Sequence, residues 1–152
     1  MDLAREDIEA FRDGFNTSCR KELEGTDLRP VLRAELPLRP SEATLELADL
    51  ARHLGPHGIG NSRPVFVARG VEVTSAREVG RGHLKVDLTD GAGSCAGIGF
   101  GLAERIDPNG LTGTRVDVLF QLKVNEYRGR RTPQMNLLDL RPTGTDSGAT
   151  PP

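Results

Sequence analysis

Three arginines and the chain's single tyrosine fall within seven residues, Asn125-Glu-Tyr-Arg-Gly-Arg-Arg131. Guanidinium forks match phosphate oxygens two at a time, and a phenol ring stacks on a base. The chemistry open to this stretch is gripping an unpaired nucleic-acid strand. Alternating apolar residues precede it and a second short apolar segment follows. It therefore reads as the tip of a β-hairpin, with Gly129 permitting the turn. Taken alone, the stretch also fits the commoner case of a solvated loop with surface arginines.

Other residue patterns lose their chemistry on inspection. Gly91-Ala-Gly-Ser-Cys-Ala96 has the form of a dinucleotide fingerprint, but that motif needs a strand feeding a helix, and β-patterned residues follow it here. His53 and His57 stand four apart, with Gly55-Pro56 breaking the helix between them, so they cannot share a metal in the manner of a helical pair. No acid pair, histidine–aspartate cluster or nucleophile elbow points to catalysis, so no catalytic and no metal residue is assigned. Cys19 and Cys95 lack metal or redox spacing and read as small buried hydrophobes in a reducing cytoplasm. No secretory leader and no apolar run near the ~18 residues of a membrane span is present.

The net charge of −2 conceals an asymmetry. Residues 1–50 carry 12 acidic and 7 basic side chains, and residues 51–152 carry 10 and 13, so the second part is the basic one.

The elements that would position the arginines follow from periodicity. Ala4, Ile8, Phe11, Phe15, Cys19 and Leu23 make one apolar helical stripe, with acids at its start, bases at its end and Gly25 beyond. A short extended segment at 31–36 leads to a second helix, capped by Ser41, with Leu47, Leu50, Ala51 and Leu54 facing inward. Residues 55–64 form a rigid, turn-rich elbow. Five period-two segments then predict five strands. The first has Val65, Val67, Val71 and Val73 and a bend near Gly70. The second has Leu84, Val86 and Leu88 on one face, and Asp90-Gly91 turns it into a third whose face is Ala96, Ile98 and Phe100. Glycines 97, 99 and 101 there suggest close backbone approach. A helical turn at 102–106 precedes a fourth strand with Val116, Val118, Phe120, Leu122 and Val124, and residues 134–140 make the fifth. The tail at 143–152 has no apolar anchor and is expected to be disordered.

This is an α+β chain: two N-terminal helices with a short strand, then a five-stranded OB-fold barrel. Its domains divide at 1–54, the elbow at 55–64, the barrel at 65–142 and the tail. An OB-fold binds along strands two and three and the loops joining strands one to two and four to five. Those loops would hold Arg77 and Arg81, and Asn125, Tyr127, Arg128, Arg130 and Arg131. With Lys85, Lys123 and Gln134, these are the candidate nucleic-acid-binding residues. Asn125 is as well suited to capping the turn as to touching a ligand.

Residues 55–66, His83-Leu-Lys-Val86, Asn125-Glu-Tyr-Arg-Gly-Arg130, Pro133-Gln134 and Leu138-Asp-Leu-Arg-Pro142 together resemble the RecJ family of single-stranded-DNA-specific exonucleases, within the DHH phosphoesterase superfamily. The similarity runs over about residues 1–142. Residues 8–16 look like the last helix of that family's DHHA1-type domain. His57 stands where the family usually has an aromatic, and Ser62 where it has a proline. The resemblance implies a part in DNA repair and recombination through 5′→3′ digestion with two manganese or magnesium ions. Those ions are held in a DHH domain that these residues do not include, so no cofactor is assigned to this chain. What carries over is single-stranded DNA binding by the OB module. The alternative is a protein-interaction module docking on a separate nuclease core or a single-strand-binding protein.

Overall fold

The computed structural model describes residues 5–26, 34–58 and 61–144. They belong to two compact units, Met1–Leu32 and Arg33–Pro152. Ala4, the segment at 31–33 and the tail at 145–152 lie outside the described residues.

In the first unit, the three-and-four spacing of apolar residues produces α1 (Ile8–Glu22). Gly25, at φ 80°, follows its last turn, as the sequence predicts. Phe11 and Phe15 stack on each other with ring centroids 5.9 Å apart. Ile8, Phe11, Phe15 and Leu23 all stay exposed, and Cys19 is half-buried where full burial was expected.

The second unit begins with β1 (Leu36–Pro37), which pairs in parallel with the start of the barrel. A 3-10 turn at Pro40–Glu42 then leads to α2 (Leu45–His53). Thr44, not Ser41, caps α2 by accepting the Leu47 N–H at 3.1 Å. The Ser41 hydroxyl instead donates to Asp90 across the unit. Ala48 is the buried residue of α2; Leu50 and Leu54 are 61% and 53% exposed, contrary to the inward face expected of them. Half-buried Leu47 packs against the core beside Ala48, so the helix lies on the barrel through the Leu47–Ala48 side.

Five strands close the barrel: β2 (Phe66–Val79), β3 (His83–Thr89), β4 (Ser94–Gly99), β5 (Arg115–Tyr127) and β6 (Arg130–Pro142). Their order is β2-β3-β4-β6-β5, and β2 pairs again with β5 to complete the circle. β4 and β6 run parallel; the other barrel pairs are antiparallel. Two 3-10 turns, Leu102–Glu104 and Pro108–Gly110, occupy the connection between β4 and β5. This is an OB-fold in an α+β chain.

The core is built from Leu84, Val86 and Leu88 of β3, Val116 to Leu122 of β5 at alternate positions, and Met135, Leu137 and Leu140 of β6. Each such side chain contributes roughly 1.5–3 kcal/mol on burial.

Two expected faces change. On β2 the buried residues are Phe66 and Ala68, then Val71 and Val73, so Val65 and Val67 are not core positions. The register against β5 shifts between Ala68 and Val71, and a bulge there reverses the alternation. Gly70 takes φ 62° at that point, its N–H donating to Asp117 Oδ1 at 2.9 Å and its carbonyl accepting from Arg115. On β4 the inward residues are Cys95, Gly97 and Gly99, while Ala96, Ile98 and Phe100 face out. A Cβ on Gly97 would lie 2.9 Å from Val86 Cγ2, and one on Gly99 only 2.3 Å from Leu102 Cδ1. The barrel wall is so close here that only glycine fits, which turns the larger apolar residues outward. Burial pushes the Cys95 thiol up to about 11.

Candidate nucleic-acid interface

The hairpin of β5 and β6 outruns its neighbours. β4 pairs with β6 only from Gln134 to Asn136, so residues 124–127 and 130–133 pair with one another alone. Tyr127 pairs with Arg130, leaving Arg128-Gly129 as a two-residue loop. Both take positive φ, 51° and 75°, which is the type I′ geometry that matches strand twist. Asparagine is the usual first residue of such a loop; Arg128 is the only non-glycine with positive φ among the described residues. Its guanidinium lies 5.3 Å from the centre of the Tyr127 ring, which is 64% exposed. Arg130 is exposed beside them. Arg131 is held by Asp49 of α2 at 2.6 Å, so it ties hairpin to helix. Asn125 is half-buried opposite Thr132 and bonds no turn atom; the loop is closed by backbone conformation instead of a side-chain cap.

The other tip is tighter than expected. β2 continues through Val79, so Arg77 lies on a strand and not in a loop, and only Gly80-Arg81-Gly82 makes the turn. The Gly82 N–H donates to Glu78 Oε1 at 3.0 Å and closes it. Beside this turn stands Phe100, 63% exposed, with the edge of His83 against it at 5.1 Å and 72°. The Gly101 N–H donates to His83 Nδ1 at 3.2 Å and fixes that ring. Sequence reasoning placed Phe100 on one strand face with Ala96 and Ile98 and did not count it among the candidate binding residues; the structure leaves its ring exposed beside the Arg81 turn.

Between the tips runs the outer barrel face. Register aligns Arg77 with Lys85, Lys85 with Ile98, Ile98 with Asn136, and Asn136 with Gln121. A second row aligns Asp87, Ala96, Gln134 and Lys123. Arg77 directly opposite Lys85 is a like-charge cross-strand pair, unfavourable on its own. Asp87 accepts from Ser75 Oγ at 3.1 Å.

The candidate residues thus do not form one cluster. β4 and β6 are parallel, so the Arg81 turn and the Arg128 turn lie at opposite ends of the strands, with Lys85, Gln134 and Lys123 between. From the level of Phe100 to that of Arg130 is eight residues of ladder, roughly 26 Å along the strands. Each end carries one exposed ring and exposed arginine.

Comparisons with known proteins agree with this architecture. The chain is 29% identical over 144 residues to the single-stranded-DNA-specific exonuclease RecJ of Dickeya dadantii, matching 93% of this chain and 25% of that protein. The RecJ of Escherichia coli is also 29% identical, over 145 residues. The chain therefore spans about a quarter of the length of these curated relatives. The crystal structure of RecJ in complex with Mn2+ from Thermus thermophilus superposes over 99% of this chain and 22% of that one, with a TM-score of 0.63 at 21% identity, and a Mg2+ complex of the same protein has a TM-score of 0.61. Among the described residues no helix is long and apolar enough to cross a membrane. The RecJ OB domain model matches residues 34–139, nearly all of the barrel, and the chain belongs to that family.

Proposed function

We propose that the chain is the single-stranded-DNA-binding OB module of a RecJ-type 5′→3′ exonuclease. The observation that carries this reading is the outer face of β3, β4 and β6, cationic at each end and bounded there by an exposed ring, Phe100 and Tyr127. Arg77, Arg81 and Lys85 meet phosphates at one end, and Arg128 and Arg130 at the other. Lys123, Gln134 and Asn125 contact the backbone or sugar between them, and Arg131 positions the hairpin through Asp49. The rings stack on bases, each worth about 1–3 kcal/mol. The module contributes binding and orientation; the metal-dependent hydrolysis is supplied by the manganese- or magnesium-holding domain of such an enzyme. Anisotropy of a fluorescent oligodeoxythymidylate titrated with the chain tests the reading: saturable binding that salt weakens is expected, and no binding at low salt overturns it.

A second reading, a module docking on a separate nuclease core or single-strand-binding protein, is favoured by the exposed Ile8, Phe11 and Phe15 stripe of α1. Light scattering discriminates: a strand-binding monomer supports the first reading, and a monomer that ignores DNA supports the second.

A further inference from the structure

Strand binding along the outer face does not account for every cavity. A cleft of about 240 Å³ opens between α2, the elbow and the hairpin of β5. Its walls are Ala48 and Ala51 from α2 and Leu122 and Val124 from β5, which together make an apolar slot. Four cations border it, Arg52, Arg63, Lys123 and Arg131, against one acid, Glu126. Asp49 lies 3.6 Å from Arg52, but among the described residues no acid pairs with Arg63 or Lys123.

His57 also lines the cleft, and its Nδ1 is buried without a hydrogen-bond partner among the described residues. A buried polar nitrogen left unmatched is costly, so a group able to bond it gains from entering. The backbone that carries His57 is tied down: the Asn61 side-chain amide donates to the carbonyls of Leu54 at 3.1 Å and Pro56 at 2.9 Å, and Gly58 and Asn61 bridge through their backbones.

An apolar slot, an unmatched ring nitrogen inside and two unpaired cations at the border suit a flat heterocycle carrying a phosphate. The volume is below the ~300–1,000 Å³ of sites for drug-sized ligands, so one nucleotide is the right scale. Lys123 is shared with the outer face, where it aligns with Gln134, so the cleft is continuous with that surface. We propose that the cleft binds a single nucleoside 5′-monophosphate unit, its base between α2 and β5 with an edge on His57 Nδ1, and its phosphate on Arg63 and Lys123. The unit is either a free mononucleotide or the 5′-phosphorylated end of a strand. The inference goes beyond the strand-binding reading and does not depend on it.

Amide and imidazole NMR spectra of the full chain test the proposal, with thymidine 5′-monophosphate, thymidine, inorganic phosphate and 5′-phosphorylated oligothymidylate as probes. The monophosphate or the phosphorylated oligomer should shift the signals of Ala48, Ala51, Val124 and His57. Thymidine and phosphate alone should bind at least tenfold more weakly. Arg63→Glu and His57→Ala should each weaken the cleft response at least tenfold, with the remaining spectrum dispersed as in the parent. A response to the monophosphate assigns the cleft to free nucleotide, and a response to the oligomer alone assigns it to a strand end; both support the proposal. Cleft signals that stay in place with both probes, or that shift equally in Arg63→Glu, overturn it. Cleft shifts without any shift at Phe100 or Lys85 would sink the outer-face reading and leave this one standing.

Discussion

Phe100 is a large ring that the barrel does not need. It is 63% exposed, and its ring meets His83 edge to face with centroids 5.1 Å apart. Phe100→Ala should therefore leave the melting temperature unchanged and cost about 1–3 kcal/mol of affinity for oligothymidylate, measured by anisotropy. A fall in melting temperature would assign the ring a packing role. Arg128 is the converse case, a residue held where its backbone is strained at φ 51°. Arginine gains nothing from the left-handed region, and asparagine tolerates it better. Arg128→Asn should stabilise the chain by up to about 1 kcal/mol in urea melts while weakening strand binding. Stability and function opposing each other at one residue is the signature of a side chain kept for its charge.

At the scale of elements, β4 works because glycine forms its inner surface. Gly99→Ala would set a methyl 2.3 Å from Leu102 Cδ1, and also crowd the Leu102 Cγ and Cβ, so rotation of the side-chain end cannot relieve it. The loss should be about 1–3 kcal/mol by chemical denaturation, as for other overpacked cores. The β3–β4 turn is a second junction. Asp90 accepts hydrogen bonds from the Ser41 hydroxyl, the Ala92 and Gly93 N–H groups and the Ser41 N–H, and so joins the segment before α2 to the barrel. The Ser41 hydroxyl first, then these N–H groups, hold the Asp90 carboxyl well below the usual carboxylate range. A depressed folded value means its stabilisation is complete above the ordinary value of 3.8 and is lost as pH falls through the folded one. Asp90→Asn should lower the melting temperature at pH 7. Its difference from the parent should shrink below pH 3.8, and a difference independent of pH would show that the charge is not the cause.

For the whole molecule, the two cationic ends stand roughly 26 Å apart along the strands, with a mixed-polarity face between. A strand must cross the barrel to use both, and about four or five phosphates come within reach. At about −0.7 per phosphate, the logarithm of affinity should fall with the logarithm of salt at a slope near −3. Deleting one end, as in Arg128→Glu combined with Arg130→Glu, should make the slope shallower for every strand sequence alike; a flat response in the parent would remove the electrostatic argument.

Periodicity determined the helix α1, the inward faces of β3 and β5 and the barrel class, because each element has one apolar side and one polar side, and Gly129 marked a hairpin turn. It could not orient β4, where Ala96, Ile98 and Phe100 compete with Cys95 and two glycines for the interior. There the closeness of Val86 and Leu102 decided, and with it the exposure of Phe100. Nor could it carry alternation through the Gly70 bulge, because a single extra residue is invisible until two strands are paired. The pairing of Arg131 with Asp49, 82 residues away, and the meeting of His57, Arg63 and Lys123 in one cleft depend on distances through space that no local pattern encodes.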